Sequence, residues 1–298
     1  MHTTWQGMFP ALTTQFRGDH SVDVEATCAH LEKLIDAGID GVVMMGTVGE
    51  NCSLEPEEKR TLLRAAVTAA ARRIPVLSGV AEFTTAAGCR FARDARELGA
   101  DGLMVLPAMV YSADPREAMA HFRSVAAASD LPILCYNNPV SYGVDLLPQA
   151  FAELADVETL VAIKESSDDV RRLTDLVNTV GDRYVLFGGV DDLALESMLL
   201  GATGLVSGLV NAFPVESIRM MQLAQAGEWE AARAIYRWFT PLLHLDTHPK
   251  LVQYIKLVMQ ECGMGSEVVR PPRLELVGAE REQIVRLTRD ALATHPRD

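Results

Sequence analysis

A lysine at the end of a buried strand is the first candidate for chemistry in this sequence. Lys164 directly follows residues 159–163, a largely apolar and β-branched run that is typical of a strand covered on both faces. An ammonium held there is partly desolvated, which lowers its pKa and makes the amine a nucleophile able to form a Schiff base. A structural ion pair with Glu165 or Asp168 is the alternative interpretation.

The other four lysines fall in stretches with helical periodicity. We interpret Lys33, Lys59, Lys250 and Lys256 as solvated or snorkelling side chains, which is the ordinary role of lysine on a helix surface. Lys164 is therefore the lysine whose position favours covalent chemistry.

A tyrosine occupies the equivalent position one strand earlier. Tyr136 ends the apolar residues 133–136, so its phenol is expected to reach a substrate held on Lys164 and to relay protons there. The alternative is an aromatic side chain that only fills the top of a barrel. The two residues on adjacent strands together favour catalysis.

A glycine-rich turn follows the second predicted strand. In Gly46-Thr-Val-Gly-Glu50 the glycines allow the backbone to approach a ligand, and the amides and the Thr47 hydroxyl are suited to a carboxylate. A turn that merely needs positive φ is the alternative explanation.

The sequence disfavours a metal-dependent mechanism. None of the seven histidines falls at a predicted strand end, and the strand ends supply no convergent set of carboxylates. His244-Leu-Asp-Thr-His248 has metal-like spacing, but we interpret it as a surface turn before a helix that begins at Pro249.

Short apolar runs alternate with amphipathic stretches of helical period between residues 7 and about 210. This alternation is typical of a parallel sheet with crossover helices, and the lack of polar alternation indicates that both faces are covered. We therefore predict a (β/α)8 TIM barrel. A doubly wound sheet is the alternative, but no GxGxxG sequence opens the first helix. The predicted strands are residues 8–13, 41–45, 76–80, 102–106, 133–136, 160–163, 184–187 and 205–206.

Glycines mark three junctions between helices and strands. Residues 37–41, 98–102 and 200–204 share a pattern in which glycine stands where a helix ends and the next strand begins. In a barrel these junctions lie on the face opposite the chemistry, so they indicate architecture.

Beyond Pro214 the sequence predicts only helices, at residues 215–226, 229–239, 249–262 and 279–293. We therefore describe the chain as a barrel core, residues 1–213, followed by the last barrel helix and a C-terminal helical extension, residues 214–298. Both parts are expected to form one structural unit.

Composition excludes several classes of partner. The formal net charge is −13 at pH 7 and the basic residues are scattered among acidic ones, so a nucleic acid or an anionic membrane would be repelled. The five cysteines include no CxxC pair, which favours reduced thiols. The sequence shows no signal-peptide pattern and no run of about 18 apolar residues. We expect a cytoplasmic protein that binds a small molecule.

With these residues in place, the chain resembles the dihydrodipicolinate synthase / N-acetylneuraminate lyase family of Schiff-base barrels over nearly its whole length. Gly46-Thr-Val-Gly-Glu50 resembles the family's substrate-carboxylate loop, and Tyr136-Asn-Asn-Pro139 resembles its YNxP motif. Val161-Ala-Ile-Lys-Glu165 is similar to the strand that bears the imine-forming lysine, and Gly189-Val-Asp-Asp192 to the loop after the seventh strand. Four motifs in the family's order are far more specific than any one of them.

The resemblance implies a role for each matched residue. Lys164 would form the imine, Tyr136 would shuttle protons near the substrate carboxylate, and Thr47 would orient that tyrosine. The resemblance also implies a homo-oligomer, commonly a tetramer, otherwise a dimer. No cofactor is expected, because the protonated imine is itself the electron sink. The implied substrate-binding residues are Gly46, Val48, Gly49, Glu50, Asn138, Ser141, Gly189 and Val206.

Three departures from the family bear on the substrate. Ser141 stands where the synthase branch has an arginine for the aldehyde's carboxylate, and Val48 replaces a hydroxyl residue, which removes one hydrogen bond. The family's second tyrosine has no clean match; Tyr111 is nearby but shifted. The chain looks closest to a bacterial branch associated with hydroxyproline breakdown, which implies 1-pyrroline-4-hydroxy-2-carboxylate deaminase activity.

Three alternatives remain open at this point. The chain would act on pyruvate if it were a 4-hydroxy-tetrahydrodipicolinate synthase-like or other aldolase, and on longer acids if it were a 2-keto-3-deoxy sugar acid dehydratase. It would bind without turnover if the barrel mouth were only a receptor, but a binder has no need of a desolvated amine beside a phenol.

Overall fold

The computed structural model describes residues 3–296, and its central element is a closed parallel barrel. Eight strands are hydrogen-bonded in the order β1-β8-β7-β6-β5-β4-β3-β2. A parallel bridge between Ala11 and Val43 joins the two ends, and the Leu12 amide donates to the Val43 carbonyl at 2.9 Å. The predicted (β/α)8 barrel with C-terminal helices is confirmed.

The strands are β1 Gly7–Pro10, β2 Val42–Met44, β3 Val76–Val80, β4 Gly102–Val105, β5 Ile133–Asn137, β6 Leu160–Glu165, β7 Val185–Gly188 and β8 Gly204–Ser207. The α-helices are α1 Val24–Ala37, α2 Pro56–Ala70, α3 Thr85–Glu97, α4 Pro115–Ala128, α5 Pro139–Tyr142, α6 Pro148–Glu153, α7 Arg171–Val180, α8 Ala194–Leu199, α9 Pro214–Gln225, α10 Trp229–Leu243, α11 Leu251–Glu261 and α12 Gly278–Ala293. Short 3-10 helices cover Asn51–Ser53, Asp191–Leu193, Leu209–Asn211 and His244–Thr247.

The strands read as unbroken apolar runs because both of their faces are buried. In β4, Leu103 and Val105 pack in one cluster with the surrounding helices. Met104 points the other way, into a second cluster that includes Phe9 and Leu134. The alternation of side chains along a strand therefore separates the barrel interior from the layer between strands and helices.

Every strand except β3 differs from its predicted range, and the two largest boundary differences, in β1 and β6, follow from hydrogen bonding. β1 stops at Pro10, and the amide of Thr13 donates to the side chain of Asn211 at 3.3 Å. β6 continues past residue 163, because Lys164 and Glu165 remain in register with β5. Lys164 thus lies within the hydrogen-bonded part of β6, and the sheet fixes the position of its backbone.

The predicted glycine junctions are present. Gly38, Gly99 and Gly201 follow helices α1, α3 and α8 with φ values of 98°, 87° and 108°, a conformation that glycine adopts without strain. Each glycine then leads into the next strand, on the barrel face opposite the carboxyl ends of the strands.

The C-terminal helices continue from α9, and one of their lysines corrects the sequence interpretation. Lys256 of α11 is fully buried, where its ammonium pairs with Glu50 at 3.0 Å and donates to the Thr14 carbonyl at 2.8 Å. Lys59 is also buried, with Glu82 at 2.6 Å. Neither is a solvated helix lysine, because each has an acidic partner distant in sequence. Within residues 3–296, no helix has the length and apolar character to cross a membrane.

Candidate active site

A cavity of about 520 Å³ opens at the carboxyl ends of the strands, the face where barrel enzymes carry their chemistry. Strand ends supply one part of its wall, and the segments on either side of α11 supply the rest. Its lining includes Thr47, Val48, Tyr136, Asn138, Ser141, Tyr142, Lys164, Ser166, Gly189, Val206, Asp246 and Arg273.

Lys164 and Tyr136 lie side by side in this cavity, as adjacent strands require. The two residues are directly paired between β6 and β5, and both side chains are 5% exposed. The Lys164 Nζ lies 4.0 Å from the centroid of the Tyr136 ring. The Lys164 amine and the Tyr136 phenol are therefore neighbours in the wall of one cavity that can hold a substrate.

Burial lowers the pKa of Lys164 from its ordinary 10.5 to about 8. The nearby carboxyl groups of Asp246 and Asp191 oppose this effect, because negative charge favours the ammonium. The balance leaves a substantial fraction of free amine near neutral pH, which is what a nucleophilic lysine requires.

Gly189 makes room for the lysine side chain. A Cβ at this position would lie 2.4 Å from Lys164 Cε and 2.1 Å from Ser166 Oγ, so any side chain there would displace both groups. Gly189, a predicted site residue, thus lines the cavity and leaves space for the aliphatic part of the Lys164 side chain.

The Thr47 hydroxyl contacts a different tyrosine from the one predicted. Thr47 Oγ1 is hydrogen-bonded to the phenol of Tyr142, whereas the Tyr136 phenol accepts from Asn138 Nδ2 at 2.9 Å. The Tyr142 ring stands edge-on to Tyr136 with centroids 5.7 Å apart. Tyr142 intervenes because helix α5 ends at this residue and turns its ring into the cavity. Thr47 therefore orients Tyr142 directly and Tyr136 only through it.

The glycine-rich loop contributes less of the cavity wall than predicted. Thr47 and Val48 line the cavity, but Gly46, Gly49 and Glu50 do not. Glu50 points into the protein, where it pairs with Lys256 and accepts from the Arg270 amide at 3.1 Å. Its predicted contact with substrate is corrected: the Glu50 carboxylate holds the loop against the C-terminal helices.

Three further predicted residues lie at the cavity, and one does not. Asn138, Ser141 and Val206 line it. Tyr111 lies in the segment between β4 and α4, 57% exposed, and is not part of the cavity wall. The prediction that Tyr111 belongs to this chain's own site is therefore not supported, because the segment places the ring in solvent.

The polar groups of the cavity that the sequence did not indicate include Tyr142, Asp246 and Arg273. Tyr142 follows the YNxP motif by three residues, and this proximity was the available signal. Asp246 lies in the segment interpreted as a surface turn. Arg273 reaches the cavity from the segment between α11 and α12, with its Nη1 donating to Ser53 Oγ at 3.3 Å. Nothing in the local sequence of the last two indicates burial against the barrel.

The segment with metal-like spacing has another structure. His244 is hydrogen-bonded to Asp192 at 2.7 Å, and His248 Nδ1 accepts from the Lys250 amide at 3.1 Å. Across residues 3–296, no group of three or more His, Cys, Asp or Glu side chains is arranged to hold a metal ion.

Residues 4–291 match the dihydrodipicolinate synthetase family. The 4-hydroxy-tetrahydrodipicolinate synthase of Xanthomonas campestris pv. campestris is 37% identical over 296 residues, covering 96% of this chain and 95% of that protein. The enzyme of the same name from Methanosarcina barkeri is 30% identical, covering 94% and 96% of the two chains.

Solved structures show the same architecture. A putative dihydrodipicolinate synthetase from Pseudomonas aeruginosa superposes with a TM-score of 0.91 at 28% identity, covering 97% of this chain and 100% of that one. A prophage protein of the dihydrodipicolinic acid synthase family from E. coli K12, determined in complex with pyruvate, gives a TM-score of 0.90 at 28% identity, covering 97% and 99% of the two chains.

Proposed function

Because the chain belongs to the dihydrodipicolinate synthetase family, we propose that it is a lyase that forms a Schiff base between Lys164 and a small 2-oxo acid or cyclic imine. One observation carries the proposal: the Lys164 amine, with its pKa lowered to about 8, faces the cavity 4.0 Å from the Tyr136 ring. No cofactor is needed, because the protonated imine accepts electrons from the adjacent carbon.

The other cavity residues receive roles that follow from their contacts. Tyr136 relays protons between the bound imine and its surroundings. Thr47 and Tyr142 hold the adjacent wall through their mutual hydrogen bond. Asn138 fixes the Tyr136 phenol, while Val48 and Val206 form apolar parts of the wall.

The substrate we propose first is the cyclic imine 1-pyrroline-4-hydroxy-2-carboxylate. The Lys164 amine attacks the ring imine carbon and the ring nitrogen leaves as an amine; loss of the 4-hydroxyl as water and hydrolysis then give ammonia and 2-oxoglutarate semialdehyde. Ser141 and Val48, in place of groups that would hold a second substrate, support this choice. So does the small number of cations in the cavity wall.

A pyruvate-dependent aldolase of the 4-hydroxy-tetrahydrodipicolinate synthase type is the second candidate. The names of the curated relatives favour it, and the related prophage protein was determined with pyruvate. In this version Lys164 converts pyruvate into an enamine that adds to an aldehyde. Arg273 would then take the place of the missing arginine at position 141 as the partner of the aldehyde's carboxylate.

Borohydride trapping tests the common step and separates the two candidates. The protein is incubated with pyruvate or with the hydroxylated pyrroline, reduced, digested and analysed by mass spectrometry, while ammonia release is recorded. We expect an adduct on Lys164 with either compound, and ammonia release from the pyrroline alone. Pyruvate trapping without pyrroline turnover would instead establish the aldolase, and the absence of any Lys164 adduct would overturn both.

The assembly state is also a proposal. We expect a homo-oligomer, a tetramer or a dimer, in which the exposed Tyr111 loop is available for contact with a neighbouring subunit. Light scattering coupled to size-exclusion chromatography measures the mass directly, and a monomer at working concentration would contradict the expectation.

A further inference from the structure

A carboxyl group from outside the barrel enters the cavity beside Lys164. Asp246 belongs to the 3-10 helix His244–Thr247, which connects α10 to α11, and it lines the cavity together with Lys164. Its Oδ2 accepts from the backbone amide of Asp191 at 3.2 Å. The segment that the sequence predicts to be a surface turn thus delivers an acid to the reactive amine.

Asp191 and Asp246 form an asymmetric pair of acids. A Cβ on Gly208 would lie 3.0 Å from Asp246 Oδ1 and 3.7 Å from Asp191 Oδ2, so both carboxyl groups face the same point of the backbone. The Asp191 carboxylate accepts from the Gly208 amide at 3.1 Å and from the Leu209 amide at 2.7 Å. Asp246 accepts a single amide.

This asymmetry decides which acid holds a proton. Two carboxylates in one low-dielectric site do not both ionise readily, and the one with more amide donors is the better anion. Asp191 is therefore the better anion of the two, and Asp246 is the member that takes up a proton first. Consistent with this, burial first and the Asp191 charge second raise the pKa of Asp246 well above its usual 3.8.

A second observation indicates that a polar ligand group belongs here. Ser166 is 2% exposed and lines the cavity. Among the residues that the structure describes, its Oγ has no partner in hydrogen-bonding geometry, although it lies near the Tyr136 phenol. A buried hydroxyl without a partner is costly, and a substrate hydroxyl or carboxylate would satisfy it.

We propose that Asp246 is the general acid that protonates a hydroxyl leaving from the carbon β to the Lys164 imine, so that the site is built to eliminate water from β-hydroxy 2-oxo acids and their cyclic imines. The inference rests on the Schiff-base function proposed above and goes further, because it names the class of substrate and the proton donor. Asp246 itself lies outside the four family motifs.

The step balances without any other reactant. Tyr136 relays a proton from the α carbon of the imine to solvent, which gives the enamine of Lys164. The enamine electron pair then forms the double bond between the α and β carbons, the β carbon–oxygen bond breaks, and the Asp246 proton leaves with the oxygen as water. The products are an unsaturated iminium and the Asp246 carboxylate, which recovers its proton from solvent through the mouth of the cavity.

The protonation state selects this outcome over carbon–carbon cleavage. Cleavage between the α and β carbons requires a base that removes the proton of the β-hydroxyl, whereas elimination requires an acid that adds one. The charged or titratable groups that face Asp246 are Lys164, Tyr136, Asp191 and Asp192. With Asp246 as the proton carrier and Asp191 as the anion, the site therefore supports elimination.

Replacement of Asp246 by asparagine tests the proposal, since the amide oxygen still accepts the Asp191 N–H while the acidic proton is gone. Asp246→Asn and the matched control Asp156→Asn, an exposed carboxylate that pairs with Arg123 and lies outside the cavity wall, are each given the hydroxylated pyrroline and pyruvate. Ammonia release and borohydride adducts are measured. Pyruvate has no β-hydroxyl, so its adduct reports the integrity of Lys164 and of the fold.

We expect Asp246→Asn to trap pyruvate on Lys164 as the unsubstituted protein does, but to release ammonia about 100-fold more slowly. Its pyrroline adduct should retain the hydroxyl and so be one water heavier than the dehydrated adduct. The control should stay within about threefold of the unsubstituted rate. Ammonia release by Asp246→Asn at the control's rate would overturn the role of Asp246 alone. Failure of the unsubstituted protein to form any adduct would overturn the Schiff-base function itself.

Discussion

Lys164 must lose its proton before its amine attacks a carbonyl or imine carbon, and the residues around it set the pH at which this happens. Burial in the cavity disfavours the ammonium, while Asp191 and Asp246 favour it. At the scale of single residues, the chemistry depends on this balance rather than on the presence of a lysine alone.

The first prediction concerns pH. The rate of borohydride-trappable imine formation with pyruvate should rise with pH and level off above about 8, the value to which burial lowers the pKa of Lys164. Asp191→Asn removes a charge that raises this pKa, so its profile should shift to lower pH. A midpoint that remains near the ordinary 10.5 would show that the amine is solvated.

The second prediction concerns the Thr47–Tyr142 hydrogen bond. Thr47→Val and Tyr142→Phe should each lower kcat/KM about tenfold, and the double variant should be hardly worse than either. A coupling free energy of about 1 to 2 kcal/mol is expected, because the two hydroxyls act as one unit. Tyr254→Phe, whose phenol donates to Glu280, serves as the control. Additive losses in the double-mutant cycle would separate the two hydroxyls functionally.

Among the secondary-structure elements, the contact between α11 and the loop after β2 determines the shape of the cavity. The Lys256–Glu50 pair has no exposed side-chain surface on either residue, and burial lowers the pKa of Lys256 while Glu50 opposes the shift. Removal of one partner from such a pair leaves an uncompensated charge in the interior. The pair therefore keeps Thr47 and Val48 in place at the cavity wall.

The third prediction follows from this pair. Lys256→Met should lower the free energy of unfolding by about 3 to 5 kcal/mol, and Glu50→Gln added to it should restore part of the loss. Lys250→Met removes an exposed pair with Glu280 and should cost less than about 1 kcal/mol. Urea unfolding of these three variants and of the unsubstituted protein measures all three differences. Equal losses for the two lysine variants would mean that burial of the pair is irrelevant to stability.

At the scale of the whole molecule, the fold was predictable from the sequence and the complete site was not. Buried parallel strands produce continuous apolar runs in the sequence, so the predicted bounds of β3 match the structure at both ends. The residues at the strand ends then indicate Lys164 and Tyr136 as candidates for catalysis. Asp246, Arg273 and the burial of Lys256 depend on contacts between parts of the chain far apart in sequence. A local pattern of polar residues looks the same whether it faces solvent or a cavity.

The fourth prediction concerns how the C-terminal segment is joined to the barrel. The Arg270 guanidinium donates to the His20 carbonyl at 2.7 Å, to the Ser53 carbonyl at 3.0 Å and to Glu58 at 2.9 Å. Arg270→Met should therefore lower the free energy of unfolding by about 1 to 3 kcal/mol, because the partly buried acceptors on Ser53 and Glu58 lose a charged donor. It should also raise KM, since Arg273 loses its support.

The control for this variant is Arg289→Met, which breaks an exposed pair with Glu261 and should change stability by less than about 1 kcal/mol. Thermal unfolding and steady-state kinetics on the same preparations make the comparison. An unchanged KM in a destabilised Arg270→Met protein would show that the position of Arg273 does not matter to the substrate.

Because Asp246 and Arg273 come late in the chain, the cavity can be completed only near the end of translation. A ribosome completes Lys164 long before it reaches either residue, and domains of this size fold as their later parts emerge. Until the segments around α11 cover the barrel mouth, water reaches the amine and its pKa stays near the ordinary 10.5. We therefore expect the nascent lysine to remain an ammonium and to become a nucleophile only after these segments bury it.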